Sequence, residues 1–141
     1  MPYDEIMISP MRQDLTRLGA RELFSADAVD DFLAGEGTRF VFINSVCGCA
    51  AGQARPGLAQ ALANGAPKPD AMGTVFAGQD MEATARVREG IPGEAPSSPS
   101  AALFKDGRMV WYIPRKTFVK CDADEIARHF VEAFENHCKG E

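Results

Sequence analysis

Long apolar runs are missing from this chain: nothing in its 141 residues approaches the ~20 consecutive apolar residues of a membrane span. A membrane partner is therefore not expected. Positive charge is also short, with 15 Lys and Arg against 20 Asp and Glu and a net charge of −5. That balance argues against a nucleic-acid partner, whose recognition requires a basic patch. Asp4 and Glu5 stand where a signal peptide would carry positive charge, so the sequence reads as cytoplasmic. Only 4 cysteines and 2 histidines are present, and no C-x-x-C pair or nearby histidine gives a zinc-site spacing. In a reducing compartment 4 cysteines do not make a disulfide framework. None is needed, because a chain of this length forms one domain that buries roughly two thirds of its unfolded surface.

What is present is organised around residues 40–52, Phe-Val-Phe-Ile-Asn-Ser-Val-Cys-Gly-Cys-Ala-Ala-Gly. An apolar run without polar alternation reads as a strand buried on both faces, and it passes through two cysteines into small residues suited to a helix start. The first N–H groups of a helix lack intrahelical partners and carry partial positive charge, so a thiolate there is favoured. Cys47 or Cys49 should then titrate below the free thiol value of about 8.5. Two cysteines one residue apart can bridge, but the ring is small and strained, which suits exchange better than stapling.

The remaining elements follow from periodicity and punctuation. An N-terminal helix lies within residues 1–20, interrupted or started near Ser9-Pro10, with Met11, Leu15 and Leu18 on one face and Gly19 as its stop. Ser25 caps a second helix through Val29, Phe32 and Leu33. A strand at 39–44 is followed by a helix at 50–62 that Pro56 must kink or restart. Residues 64–73 read as a loop, 74–77 as a strand, 80–89 as a helix and 90–99 as irregular. Asp106-Gly107 joins strands 101–105 and 108–113 as a hairpin. Asp122 and Glu125 come close to a capping box for a last helix with Ile126, Phe130, Phe134 and Cys138 on one face.

This order resembles the thioredoxin architecture, an α/β fold with a central mixed sheet flanked by helices, here with an extra N-terminal helical segment. The resemblance implies one domain over 1–141, with helices in 1–37 and a thioredoxin-like core in 38–141. Narrower likeness lies in Asn44-Ser45-Val46-Cys47-Gly48-Cys49-Ala50-Ala51-Gly52, Ala54-Arg55-Pro56, Val75-Phe76-Ala77-Gly78-Gln79-Asp80, Ala95-Pro96-Ser97-Ser98-Pro99-Ser100, Ile113-Pro114-Arg115 and His137-Cys138. Together these segments resemble the bacilliredoxins, thioredoxin-like proteins with a Cys-Gly-Cys site. That resemblance implies a thiol–disulfide oxidoreductase or isomerase, working without cofactor on protein mixed disulfides with a small thiol such as bacillithiol. It further implies that Pro99 is cis and that Ser98 faces the substrate.

On this reading Cys47 attacks the mixed disulfide and Cys49 resolves the adduct. Gly48 keeps bulk away and lets the backbone turn, and Ser45, Ser97 and Ser98 are candidate hydroxyl donors to the thiolate. Arg55 or Arg115 would attract a carboxylate-bearing thiol. Cys138 reads as a core residue, Cys121 as an incidental surface thiol, His129 and His137 as solvated, and Met72, Met81 and Met109 as core filler. Two other functions fit the same residues: a metal carrier in which Cys47 and Cys49 join Cys121 or Cys138, and a non-catalytic adaptor binding partners through Ser98-Pro99.

Overall fold

A computed structural model describes residues 3–138. Helix α1 (Glu5–Thr16) is capped by Asp4, whose carboxylate accepts from Ile6 N, and it runs straight through Pro10. The interruption expected there does not occur, because the exposed proline removes one helix hydrogen bond on a side that carries no core contact. The buried face is Ile8, Arg12 and Leu15, while Met11 and Leu18 are half-buried. Periodicity of apolar residues missed this because an arginine holds the middle position.

A two-residue strand β1 (Arg21–Glu22) precedes α2 (Ala26–Leu33), where Ser25 Oγ accepts from Ala28 N. Strand β2 (Thr38–Asn44) leads into a helical segment whose first part, Ala50–Ala54, is a wide π-type turn and whose remainder is α3 (Arg55–Ala63). The wide turn sits directly before Pro56, which supplies no N–H to a regular ladder; Arg55 N instead reaches Ala50 O. Strand β3 (Ala71–Phe76), α4 (Met81–Glu89), β4 (Ser100–Lys105), β5 (Arg108–Ile113), α5 (Arg115–Lys120) and α6 (Ala123–His137) complete the chain.

The strands lie in the order β1-β3-β2-β4-β5. β3 is parallel to both β1 and β2, while β2–β4 and β4–β5 are antiparallel. In the β4–β5 turn Asp106 and Gly107 have φ of 51° and 86°, the left-handed pair that a tight hairpin requires. β2 is central and covered on both sides. Phe40 and Phe42 point to a core shared with Leu58, Phe118, Ile126, Phe130 and Phe134, whereas Val41 and Ile43 meet Val29, Phe32, Val75 and Val87. Asp122 and Glu125 form the full capping box of α6. Its Phe130 and Phe134 meet the Phe40 ring edge-on at 5.6 and 5.5 Å. Met72 and Met109 are half-buried, but Met81 opens α4 at 66% exposure and fills no core. Among the described residues no helix is long and apolar enough to cross a membrane.

Gly57 is where α3 and α6 come closest. A Cβ there would stand 2.5 Å from Ile126 Cγ2 and 3.1 Å from the Ala123 carbonyl oxygen. Gly57→Ala should therefore destabilise the fold by about 1–3 kcal/mol through overpacking, read as a lowered midpoint in urea. An unchanged midpoint would mean that the helices can separate freely.

Candidate active site

Three chain segments converge at one end of the sheet. β2 ends at Asn44 and delivers Ser45–Cys49, Ser100 pairs with Ile43 and so sets Ser98–Pro99 beside that turn, and β5 ends two residues before Arg115. The Ser98–Pro99 peptide is cis. Pro99 is buried, and Ser98 is half-buried.

Cys47 occupies the N-cap of the helical segment, since its carbonyl accepts from Ala50 N at 3.0 Å and Ala51 N at 3.4 Å. Its Sγ lies 3.0 Å from Cys49 Sγ, a hydrogen-bonded thiol pair. Cys47 is half-exposed and Cys49 is 7% exposed. This difference separates their acidities. The Cys49 thiol, donating to it, holds Cys47 below the ordinary thiol value, helped by the Cys49 and Ala50 amides and by the Arg115 charge. Burial pushes Cys49 up, and the neighbouring Cys47 sulfur adds to this.

The turn is held from below by a clamp that the sequence did not reveal. Asn44 Oδ1 accepts from Ser45 N at 2.9 Å and from Arg55 Nη1 at 2.8 Å, and the same guanidinium donates to Ser45 O at 3.1 Å. Asn44 Nδ2 donates to Met11 O at 3.0 Å, and Arg55 Nε reaches Asp14 at 3.0 Å, so α1 braces the site as well as packing on the core. Asn44 is 1% exposed, and a polar residue closing an apolar strand was the available signal.

Each remaining sequence candidate has a definite place. Arg55 is 5% exposed with its donors committed to this clamp; it also borders a groove of about 280 Å³ with Asp14, Arg17, Leu18, Ala51 and Pro56. Among the described residues, the cation that acts on the two sulfurs is Arg115. Ser45 Oγ accepts from Cys47 N at 3.0 Å, and Ser97 Oγ meets Tyr112 Oη at 3.0 Å and Arg115 N at 3.3 Å. Both hydroxyls thus brace backbone rather than sulfur. Gly48 is exposed, has no left-handed φ, and a Cβ added there would meet nothing within 4 Å. The turn itself does not require a glycine. Cys121 borders a separate groove with Glu125, Arg128, His129 and Glu132. Cys138 caps the C-terminus of α6, where burial pushes its thiol up. Among the described residues no three His, Cys, Asp or Glu side chains converge to hold a metal, so Cys121 and Cys138 do not join the pair.

Comparison with known proteins agrees with this geometry. A family model described as disulphide isomerase matches residues 3–138. A bacilliredoxin of Salinibacter ruber is 51% identical over 143 residues, covering 100% of this chain and 84% of the relative. One from Bacillus licheniformis is 49% identical, covering 96% of this chain and 97% of the relative. Among solved structures, the Malassezia sympodialis thioredoxin superposes with a TM-score of 0.56 at 15% identity, over 85% of this chain and 91% of that one. The oxidised Plasmodium falciparum thioredoxin gives 0.54 at 14% identity, over 82% and 98%. At such identity these two establish the fold alone. With relatives of this similarity over 84% and 97% of their length, and two thiols set at the head of a thioredoxin-fold helix, the chain belongs to the bacilliredoxin family of thiol–disulfide oxidoreductases.

Proposed function

We propose that this protein removes a low-molecular-weight thiol of the bacillithiol type from protein mixed disulfides in the cytoplasm, with Cys47 as nucleophile and Cys49 as resolving residue. The observation that carries the reading is the 3.0 Å sulfur pair with its unequal acidities. The thiolate is the attacking form, and the more exposed sulfur is the one whose ionisation is favoured. Cys47 Sγ⁻ attacks the small thiol's sulfur; the bond to the substrate cysteine breaks, and that cysteine leaves as a thiolate that takes a proton from solvent. Cys49 then ionises and attacks Cys47 Sγ, so that a Cys47–Cys49 disulfide forms and the small thiol departs. No cofactor enters either step. The same exchange applied to protein disulfides is isomerisation.

Exposure of Gly48 supports its role of leaving the approach to Cys47 open, and Ser98 with cis-Pro99 beside the turn supports their role as the substrate-facing edge. Arg55 enters this reading through the Asn44 clamp, which fixes the turn that carries Cys47.

The test is the pH dependence of alkylation of the reduced protein, with each modified cysteine located by mass spectrometry. Cys47 should react first, with an apparent pKa below the free thiol value. Because its pKa is lowered, its reactivity should persist to lower pH than that of an ordinary thiol and fall as pH drops through that lowered value. Cys49 should lag into alkaline solution. Ordinary, equal titration of all the cysteines would overturn the reading.

A further inference from the structure

Among the described residues, Arg115 is the cation at the two sulfurs whose guanidinium makes no ion pair or hydrogen bond to the fold. Arg115 is the first residue of α5, a helix fixed at both ends. Its own N–H donates to Ser97 Oγ at 3.3 Å, tying it to the loop before cis-Pro99. The far end is anchored by Phe118, wholly buried, whose carbonyl accepts from Gln53 Nε2 at 2.9 Å in the wide turn after Cys49. From this support, beside the loop that sets cis-Pro99 next to the thiol turn, the Arg115 charge acts on both thiols, most strongly on Cys49. Among the described residues no carboxylate pairs with it. The other arginine of the site, Arg55, lies beneath the turn and is bound to Asn44, Ser45 and Asp14.

We propose that Arg115 is a catalytic residue that serves the two thiolates in turn, stabilising Cys47 Sγ in the resting protein and Cys49 Sγ once Cys47 carries the small thiol. This rests on the exchange reading above. In the resting state Cys47 is the sulfur whose ionisation is favoured, with Cys49 donating a hydrogen bond to its thiolate. Capping Cys47 as a mixed disulfide neutralises that sulfur, and the proton on Cys49 no longer has an anion to serve. The thiol must then lose its proton to solvent from a buried position, which the nearby Arg115 charge makes easier. Cys49 Sγ⁻ forms the bond to Cys47 Sγ, the bond from Cys47 to the small thiol breaks, and the small thiol leaves with the electron pair. One fixed charge thus follows the anion over the 3.0 Å between the sulfurs.

The experiment uses Arg115→Gln and Arg115→Lys beside wild type. Reduced proteins are titrated by alkylation, and each is then capped at Cys47 with 2-mercaptoethanol, an uncharged thiol, and release of that thiol is followed against pH. Arg115→Gln should raise the Cys47 pKa by about half to one unit. It should slow release at neutral pH by roughly fivefold to tenfold and move the midpoint of release to higher pH. Arg115→Lys should recover most of both effects. Arg115→Gln that titrates and releases like wild type would overturn the assignment, as would a defect confined to carboxylate-bearing thiols, which would make Arg115 a substrate-anion site instead. Failure of the exchange reading looks different: wild type itself would show no low-pKa Cys47 and no release.

Discussion

Replacing Cys47 by serine is expected to slow uptake of a small thiol from a protein mixed disulfide by at least about a thousandfold, because a hydroxyl is not ionised at neutral pH and cannot replace the thiolate. Cys49→Ser should behave differently. It leaves Cys47 at the N-cap, with the Cys49 and Ala50 amides and Arg115 still facing it, so uptake continues. What it removes is the sulfur 3.0 Å away that would close the ring. The adduct should therefore accumulate on Cys47, seen in intact mass as a protein carrying one small thiol. Equal loss of uptake in both variants would show that the cysteines act as an inseparable pair, and equal activity would remove Cys47 from the nucleophile's place. Cys49→Ala, which removes the donor altogether, should also raise the Cys47 pKa, since the Cys49 hydrogen bond is the largest cause of its depression.

The second large effect concerns stability. Arg12→Ala should destabilise the protein by about 3–5 kcal/mol, the usual consequence of removing one partner of a buried ion pair. Arg12 is 8% exposed. Its guanidinium meets both Asp80 oxygens at 2.8 and 2.9 Å, Glu22 at 3.1 Å and Glu5 at 3.0 Å, and packs over the Phe24 and Phe76 rings. The Asp80 side chain is 7% exposed and also accepts from Phe76 N. Without Arg12 that carboxylate is a buried, uncompensated charge. Arg12→Lys should recover only part of the loss, because an ammonium cannot match the two-oxygen geometry. Arg12→Ala with Asp80→Asn should lose less than the sum of the two. Urea denaturation at neutral pH measures all of these, and a loss within about 0.5 kcal/mol for Arg12→Ala would mean that the network is no more than surface decoration. Glu5 adds an acid-sensitive part. Arg12 lowers its pKa, so the stability it supplies is present above its unfolded value of about 4.5 and disappears as pH falls through the lower folded value. In Arg12→Ala that acid dependence should flatten.

Arg12 also marks where reading the sequence stops. Strand β2, the Asp106-Gly107 hairpin and the capping box of α6 were legible because each is decided within a few residues. The thiol pair and the helix after it were legible for the same reason. Arg12 and Asp80 lie 68 residues apart, and nothing local to either tells a buried arginine from a solvated one. β1 is two residues long and exists only because β3 offers it an edge. α5 carries no side-chain cap and buries Phe118 alone, so no period announces it. Arg55 faces inward toward the amide oxygen of Asn44 and the carbonyl of Ser45, across a turn whose path no local pattern gives. The thiol pair is legible in the sequence, and the fold decides which charges lie beside it.

The wide turn at Ala50–Ala54 separates two demands on a single helix. One residue is about 100° of helical rotation, and Arg55 N bonds five residues back, to Ala50 O, so the turn holds one residue beyond the regular repeat. The end bearing Cys49 is therefore out of phase with the end bearing Leu58. A chain shortened by one residue here would wind as an unbroken helix and could satisfy only one partner. With Leu58 kept in the core, Cys49 would swing away from Cys47; with the sulfurs kept together, Leu58 would leave its neighbours. The surplus residue lets chemistry and packing each choose an azimuth on the same rod.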